Sequence, residues 1–191
     1  MKVVDYYFSP VSPWTYLGHA RVLDIARRSG ASLCAKPVDY GVIFPVSGGL
    51  PLGKRAPQRQ AYRLVELARW NDYLGVPLTI QPKYFPVDGS QAAYLIAATT
   101  EDKRTAVAGD VLAAVWVHEE NIADPKTLFA IAARHGISDI NPLLEAGKAI
   151  YAANTEEALK LNVFGAPTYV YRGELFWGQD RLDFLERALA R

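Results

Sequence analysis

Ser12-Pro13-Trp14-Thr15 follows the apolar run Val3-Val4-Asp5-Tyr6-Tyr7-Phe8, and Gly165-Ala166-Pro167-Thr168 opens a second apolar run far downstream. These two stretches decide the fold. Val3 to Phe8 is rich in β-branched and aromatic residues and reads as a buried strand. Ser9 to Pro13 is a proline-punctuated turn. Ser12 reads as an N-cap, with Pro13 at the first helical position, where a missing N–H costs nothing. Leu17, Ala20, Val22 at the edge, Leu23, Ile25 and Ala26 keep helical spacing to about Arg28, and Gly30 ends the run. Ser32 to Val38 reads as the next strand, which completes a β-α-β unit.

The middle of the chain is mostly helical in pattern. Gly41 to Pro57 is rich in Gly and Pro and reads as a long surface loop. A strong helix runs from Ala56 or Pro57 to Leu74, before Gly75. Pro77 to Pro86 is extended. Ser90 to Thr99 and Thr105 to Glu120 read as helices, Asp124-Pro125 starts another that Gly136 closes, and Leu143 to Lys160 is helical. Pro167 to Trp177 reads as a hairpin turning at Arg172-Gly173, and a last helix spans Arg181 to Ala190. The expected order is β-α-β, a helical insert, then α-β-β-α.

Composition bounds the function. The 191 residues carry a formal net charge of +1 and are 50% hydrophobic, which fits one ordered domain with a substantial core. That charge gives no reason to expect nucleic acid or an acidic membrane as partner. No apolar run is long enough to span a bilayer, and Met1-Lys2 leads directly into a strand rather than a secretory signal. A single cysteine, Cys34, excludes an internal disulfide; it reads as an inert residue of a buried strand. A soluble cytoplasmic protein acting on a small molecule is expected. His19, His118 and His135 show no metal-ligand spacing, and His19 is expected on a solvent-facing helix position. Arg59, Arg63 and Glu66 fit the solvated face of an amphipathic helix.

Further stretches carry a resemblance. They are Asp5-Tyr6-Tyr7-Phe8, Ser12-Pro13-Trp14-Thr15-Tyr16-Leu17, Leu67-Ala68-Arg69-Trp70, Leu74-Gly75-Val76-Pro77 and Pro82-Lys83-Tyr84-Phe85-Pro86. Val163-Phe164-Gly165-Ala166-Pro167-Thr168 and Phe176-Trp177-Gly178-Gln179-Asp180-Arg181-Leu182 complete the set. In this order the chain resembles the 2-hydroxychromene-2-carboxylate isomerases, relatives of DsbA and of the kappa-class glutathione transferases. The resemblance implies an α/β protein: a thioredoxin fold with an inserted helical domain. Residues 1–40 and 155–191 would form a discontinuous thioredoxin-like domain, and 41–154 the insertion. Thiol–disulfide enzymes of this fold carry C-x-x-C where this chain has Ser12 to Thr15. The scaffold is kept and the thiol is not, so the sulfur has to come from a ligand. The resemblance makes that ligand glutathione.

It also implies the site. Ser12 would be catalytic and donate to the glutathione sulfur; as a residue it also reads simply as a helix cap, and the two roles are compatible. Ser9 repeats the Ser-Pro pair but lacks the helix start. Ala166 and Pro167, with a cis peptide between them, would pair with the cysteinyl backbone. Trp177, Gly178, Gln179 and Asp180 would hold the γ-glutamyl end, although Asp180 alone is also a plain N-cap. Trp14, Lys54, Lys83 and Tyr84 would face the organic substrate, with Arg55 a further candidate. The implied function is a glutathione-dependent isomerase of 2-hydroxychromene-2-carboxylate or a related unsaturated 2-oxo acid in aromatic-compound catabolism. A kappa-class-like transferase and a redox-inactive thioredoxin-fold binding protein are the alternatives. Relatives also suggest a homodimer.

Overall fold

A computed structural model describes residues 1–191. Its four strands are β1 (Lys2–Phe8), β2 (Ala31–Pro37), β3 (Thr168–Tyr171) and β4 (Glu174–Trp177), in the order β2-β1-β3-β4. β1 runs parallel to β2 and antiparallel to β3, and β3 forms an antiparallel hairpin with β4. This is the thioredoxin sheet expected from the sequence. Helix α1 (Pro13–Ser29) connects β1 to β2. Six helices follow before β3: α2 (Tyr40–Ser47), α3 (Pro57–Leu74), α4 (Ser90–Ala98), α5 (Glu101–Trp116), α6 (Pro125–Arg134) and α7 (Asn141–Lys160). α8 (Leu182–Leu189) closes the chain behind a short 3-10 turn at Gln179–Arg181. No helix is long and apolar enough to cross a membrane.

Burial of apolar area holds these layers together. One core of 26 buried residues joins the sheet to the helical insert without a break. Tyr6, on the central strand, stacks on Phe8 at 4.6 Å and on Tyr169 of β3 at 5.2 Å. Trp116, Leu95, Ile96 and Leu128 carry the same core into α4, α5 and α6. A smaller cluster around Tyr7, Val38, Ile43 and Val163 covers the other face of the sheet.

Three expectations need correction. The loop from Gly41 contains a helix, α2. Asp39 caps it by accepting the Gly41 N–H at 2.7 Å, and Gly48 ends it in the left-handed conformation. Pro45 falls inside this helix of eight residues, and that proline hid the helix in the sequence. Cys34 is half-buried on the sheet-edge strand β2 rather than buried, and desolvation raises its thiol pKa. His19 does not face solvent. It is only 6% exposed, its Nε2–H donates to the Thr105 carbonyl at 3.0 Å, and its Nδ1 accepts from the Tyr6 hydroxyl 3.2 Å away. Those two partners satisfy a neutral ring, and burial lowers its pKa from 6.5 to about 4.

His19 therefore makes folding sensitive to acid. Between pH 6.5 and about 4 the unfolded chain binds a proton at His19 that the folded chain refuses. Stability is lost as pH falls through that window. Going from pH 7 to pH 5, the wild type should lose about 2 kcal/mol more than His19→Gln. Urea melts of both proteins at the two pH values check this, and equal losses would show that His19 is not the group.

Candidate active site

Ser12 ends the turn after β1 and caps α1. Its backbone is extended, and its Oγ accepts the Thr15 N–H at 3.2 Å. The Ser12 N–H donates to the Ser9 carbonyl at 3.1 Å, which closes the turn. The first turn of α1 contains no acidic residue, so the positive end of a helix of 17 residues is not neutralised there. Trp14 follows two residues on.

The downstream stretch folds into a corner against this helix end. Ala166–Pro167 is a cis peptide, as expected, and Phe85–Pro86 is a second that the sequence reading missed. The Gly165 carbonyl accepts two hydroxyls, from Tyr40 at 2.9 Å and Thr168 at 2.6 Å. A Cβ on Gly165 would collide with the Trp177 indole unless that ring moved aside. The Pro167 carbonyl accepts the Gly178 N–H at 2.8 Å, and Thr168 is paired with Trp177. The corner and the turn after β4 thus form one unit. Ala166, between them, uses neither its N–H nor its C=O within the chain.

The turn itself is held from α1. Gly178 has φ 98°, a conformation that favours glycine. Gln179 is buried, and both its backbone carbonyl and its Oε1 accept from Arg21, at 3.0 and 2.6 Å. Its side chain and its carbonyl are therefore occupied, and its N–H is left free. The N–H groups of Gln179 and Asp180 have no acceptor within the chain. Asp180 pairs with Arg181 at 2.6 Å.

Between these elements lies a cleft of about 530 Å³. Trp14, Ala166 and the turn from Trp177 to Arg181 form one wall. α3 forms the other with Gln58, Arg59, Tyr62, Arg63, Glu66 and Trp70, joined by Arg55. The expected solvated face of α3, with Arg59, Arg63 and Glu66, is thus a cleft wall. Arg63 in particular is buried, at 8% exposure. The helical stripe of basic and aromatic residues was the available signal. Trp177 is 51% exposed and packs on Phe164 at 4.8 Å. Ser12 is half-buried at the helix start and is not among the lining residues. Lys54, Lys83 and Tyr84 also stand outside the lining and are exposed. Lys83 lies over the Tyr84 ring, 5.0 Å from its centre.

The family model for the DSBA-like thioredoxin domain matches residues 3–190. A 2-hydroxychromene-2-carboxylate isomerase from Sphingobium xenophagum is 30% identical over 194 residues, spanning 98% of each chain. The chain belongs to the 2-hydroxychromene-2-carboxylate isomerase family of DSBA-like thioredoxin domains. A solved structure of such an isomerase superimposes with a TM-score of 0.86 at 26% identity, over 99% of this chain and 95% of that one. Human glutathione S-transferase kappa 1 is 24% identical, covering 98% of this chain and 91% of its own length. In this isomerase-family chain the one cysteine lies on β2 and is not among the residues lining the cleft.

The Gly165 contact can be tested directly. Gly165→Ala should displace the Trp177 indole and cost about 1–3 kcal/mol through overpacking. Thermal melting together with tryptophan fluorescence reads both effects, and an unchanged spectrum and melting temperature would contradict the packing described.

Proposed function

We propose that the protein is a glutathione-dependent isomerase acting on 2-hydroxychromene-2-carboxylate or a related unsaturated 2-oxo acid in aromatic-compound catabolism. One observation carries the reading. A cleft without a thiol brings together a free backbone edge at Ala166, two free N–H groups at Gln179 and Asp180, and four arginines. A γ-glutamyl tripeptide needs such a set: a peptide edge to pair with, N–H donors for one carboxylate, a carboxylate for its ammonium and a cation for its second carboxylate.

The chain's residues divide that work. The Ala166 N–H and C=O would pair with the cysteinyl backbone of the tripeptide. The N–H groups of Gln179 and Asp180 would take its α-carboxylate, and the Asp180 side chain its α-ammonium. Arg55 and Arg59 would supply a cationic wall for the glycyl end. Bound glutathione would supply the sulfur nucleophile, which adds reversibly to an electrophilic carbon and leaves again once the product geometry is reached. Ser12 spends its oxygen lone pair on the Thr15 N–H and keeps its O–H to donate to that sulfur. Together with the helix end it would favour the thiolate. Ser12 has no His or Lys partner, so it is not itself assigned the nucleophile's role. Trp14 on one wall and Tyr62 and Trp70 on the other give the cleft aromatic surfaces for the organic substrate. Lys54, Lys83 and Tyr84 are given no contact with substrate.

The kappa-class relative makes transferase chemistry the reading to separate, because the same cleft would release a conjugate. With catalytic glutathione, 2-hydroxychromene-2-carboxylate should interconvert with its ring-opened isomer and no glutathione should be consumed. Stoichiometric conjugate would establish the transferase instead, and a rate independent of glutathione would overturn both. Ser12→Ala should lower turnover by about 10- to 100-fold, the worth of one hydrogen bond to a charged group, with glutathione affinity changed less than about threefold. It should also lose about 1 kcal/mol of stability with the cap. Steady-state kinetics, calorimetry and melts measure the three separately.

A further inference from the structure

Arg63 is the only Lys, Arg, Asp or Glu among the buried residues. Several partly buried cations have acceptors. Lys36 meets Asp5 at 2.9 Å and Glu157 at 2.8 Å, Arg21 holds Gln179, and Arg104 donates to the Thr99 carbonyl at 3.0 Å. Arg63 makes no hydrogen bond and no ion pair within the chain. Glu66 lies one turn further along the same helix face but is not paired with it.

The guanidinium is instead held by aromatic rings. Its central carbon lies 5.2 Å from the centre of the Phe85 ring and 5.8 Å from that of Trp116. Phe85 belongs to the segment after α3, and Trp116 ends α5, so core residues fix the group in place. Arg63 also lines the cleft. Aromatic rings accept no N–H in the way a carboxylate does, so the guanidinium held beside them keeps its fork of donors for a carboxylate, which it can take bidentately. Burial together with the neighbouring Arg55 lowers its pKa from 12.5 to about 10, so it remains charged at neutral pH. An unpaired charge at such a site is costly, and an anion entering the cleft removes that cost.

We propose that Arg63 is the carboxylate anchor for the organic acid substrate, a role that rests on the isomerase reading above. The backbone donors of the 178–180 turn serve the tripeptide at the opposite wall. Arg63 meets the second ligand across the cleft and so decides that an organic acid, rather than its neutral analogue, is accepted.

The test uses the full chain with Arg63→Met, which keeps an apolar stem in the core, and Arg63→Lys, which keeps charge without the fork. Three measurements are made: KM and kcat for 2-hydroxychromene-2-carboxylate and for its methyl ester, glutathione affinity by calorimetry, and melting temperature with and without benzoylformate, a simple aromatic 2-oxo acid. Arg63→Met should raise KM for the acid by about 10- to 100-fold, bring the acid-to-ester preference close to one and leave glutathione affinity within about twofold. It should melt no lower than wild type, because its buried charge had no partner. Arg63→Lys should recover only part of the acid preference. An unchanged acid-to-ester preference in an active Arg63→Met protein overturns the proposal and leaves the isomerase reading standing. A tenfold loss of glutathione affinity overturns it by assigning Arg63 to the tripeptide. If wild type is inactive on the chromene yet benzoylformate stabilises it and not Arg63→Met, the isomerase reading fails and the carboxylate site stands. If Arg63→Met does not fold, the ester preference of Arg63→Lys decides: wild-type discrimination overturns the anchor.

Discussion

The hydrogen bond from the Gly178 N–H to the Pro167 carbonyl ties together the two pieces of chain on which the cleft depends. On one side of it stands Ala166 with its unused backbone groups. On the other stands the turn whose N–H groups point to no acceptor of the chain. The bond continues the β3–β4 ladder one step past its last pair, Thr168 with Trp177. The ladder's geometry thus sets the spacing between two segments with unused backbone groups. Arg21 then fixes this unit against α1 through Gln179, and Gly18 lets the helix come close. A Cβ at Gly18 would lie 2.9 Å from both the Tyr169 hydroxyl and Gln179. The helix carrying Ser12 and the turn carrying Asp180 are therefore positioned by packing in the same small region of the core.

This is how a DSBA-like scaffold holds such a cleft together with no thiol in its lining. What the fold supplies is a helix N-terminus, a cis-proline corner and a turn with free donors. None of these is a sulfur group, and none requires one. Replacing the thiol by Ser12 leaves the cap intact, since the hydroxyl accepts the Thr15 N–H. Cys34 cannot substitute: it lies on the sheet edge with a raised pKa, the opposite of an activated thiolate.

The sheet was legible because its signals are local. β-branched and aromatic runs marked β1 and the hairpin, and Ser12-Pro13 with Gly30 marked α1 from cap to cap. The near wall of the cleft was legible because its residues sit in two short motifs, at 165–168 and 177–180. The far wall was not. Arg59, Arg63 and Glu66 keep the spacing of an exposed helix face, and nothing local tells a solvated face from one that borders a cleft. Only the packing of α3 opposite the 177–181 turn makes the distinction. His19 failed for the same reason, since its burial depends on the Thr105 carbonyl 86 residues away. α2 failed differently, because one proline outweighed a cap at each end.

Charge placement completes the picture. The chain as a whole is nearly neutral at +1. The cleft is not: Arg55, Arg59, Arg63 and Arg181 line it against only Glu66 and Asp180. An excess of cations in a concave, partly apolar site focuses its field and raises the local concentration of anions. The two ligands proposed above, glutathione and a 2-oxo acid, are both anions, and binding one should weaken the pull on the other. The arginines are not equivalent in this respect. Arg181 is neutralised by Asp180 at 2.6 Å, and Arg55 donates to the Leu50 carbonyl at 2.8 Å. Arg63 alone is both buried and without a partner, so its attraction is the least screened by water and survives the first anion's arrival. If the cleft holds two anions at once, as proposed above, it needs such a cation, held by packing and set apart from the backbone donors of the 178–180 turn.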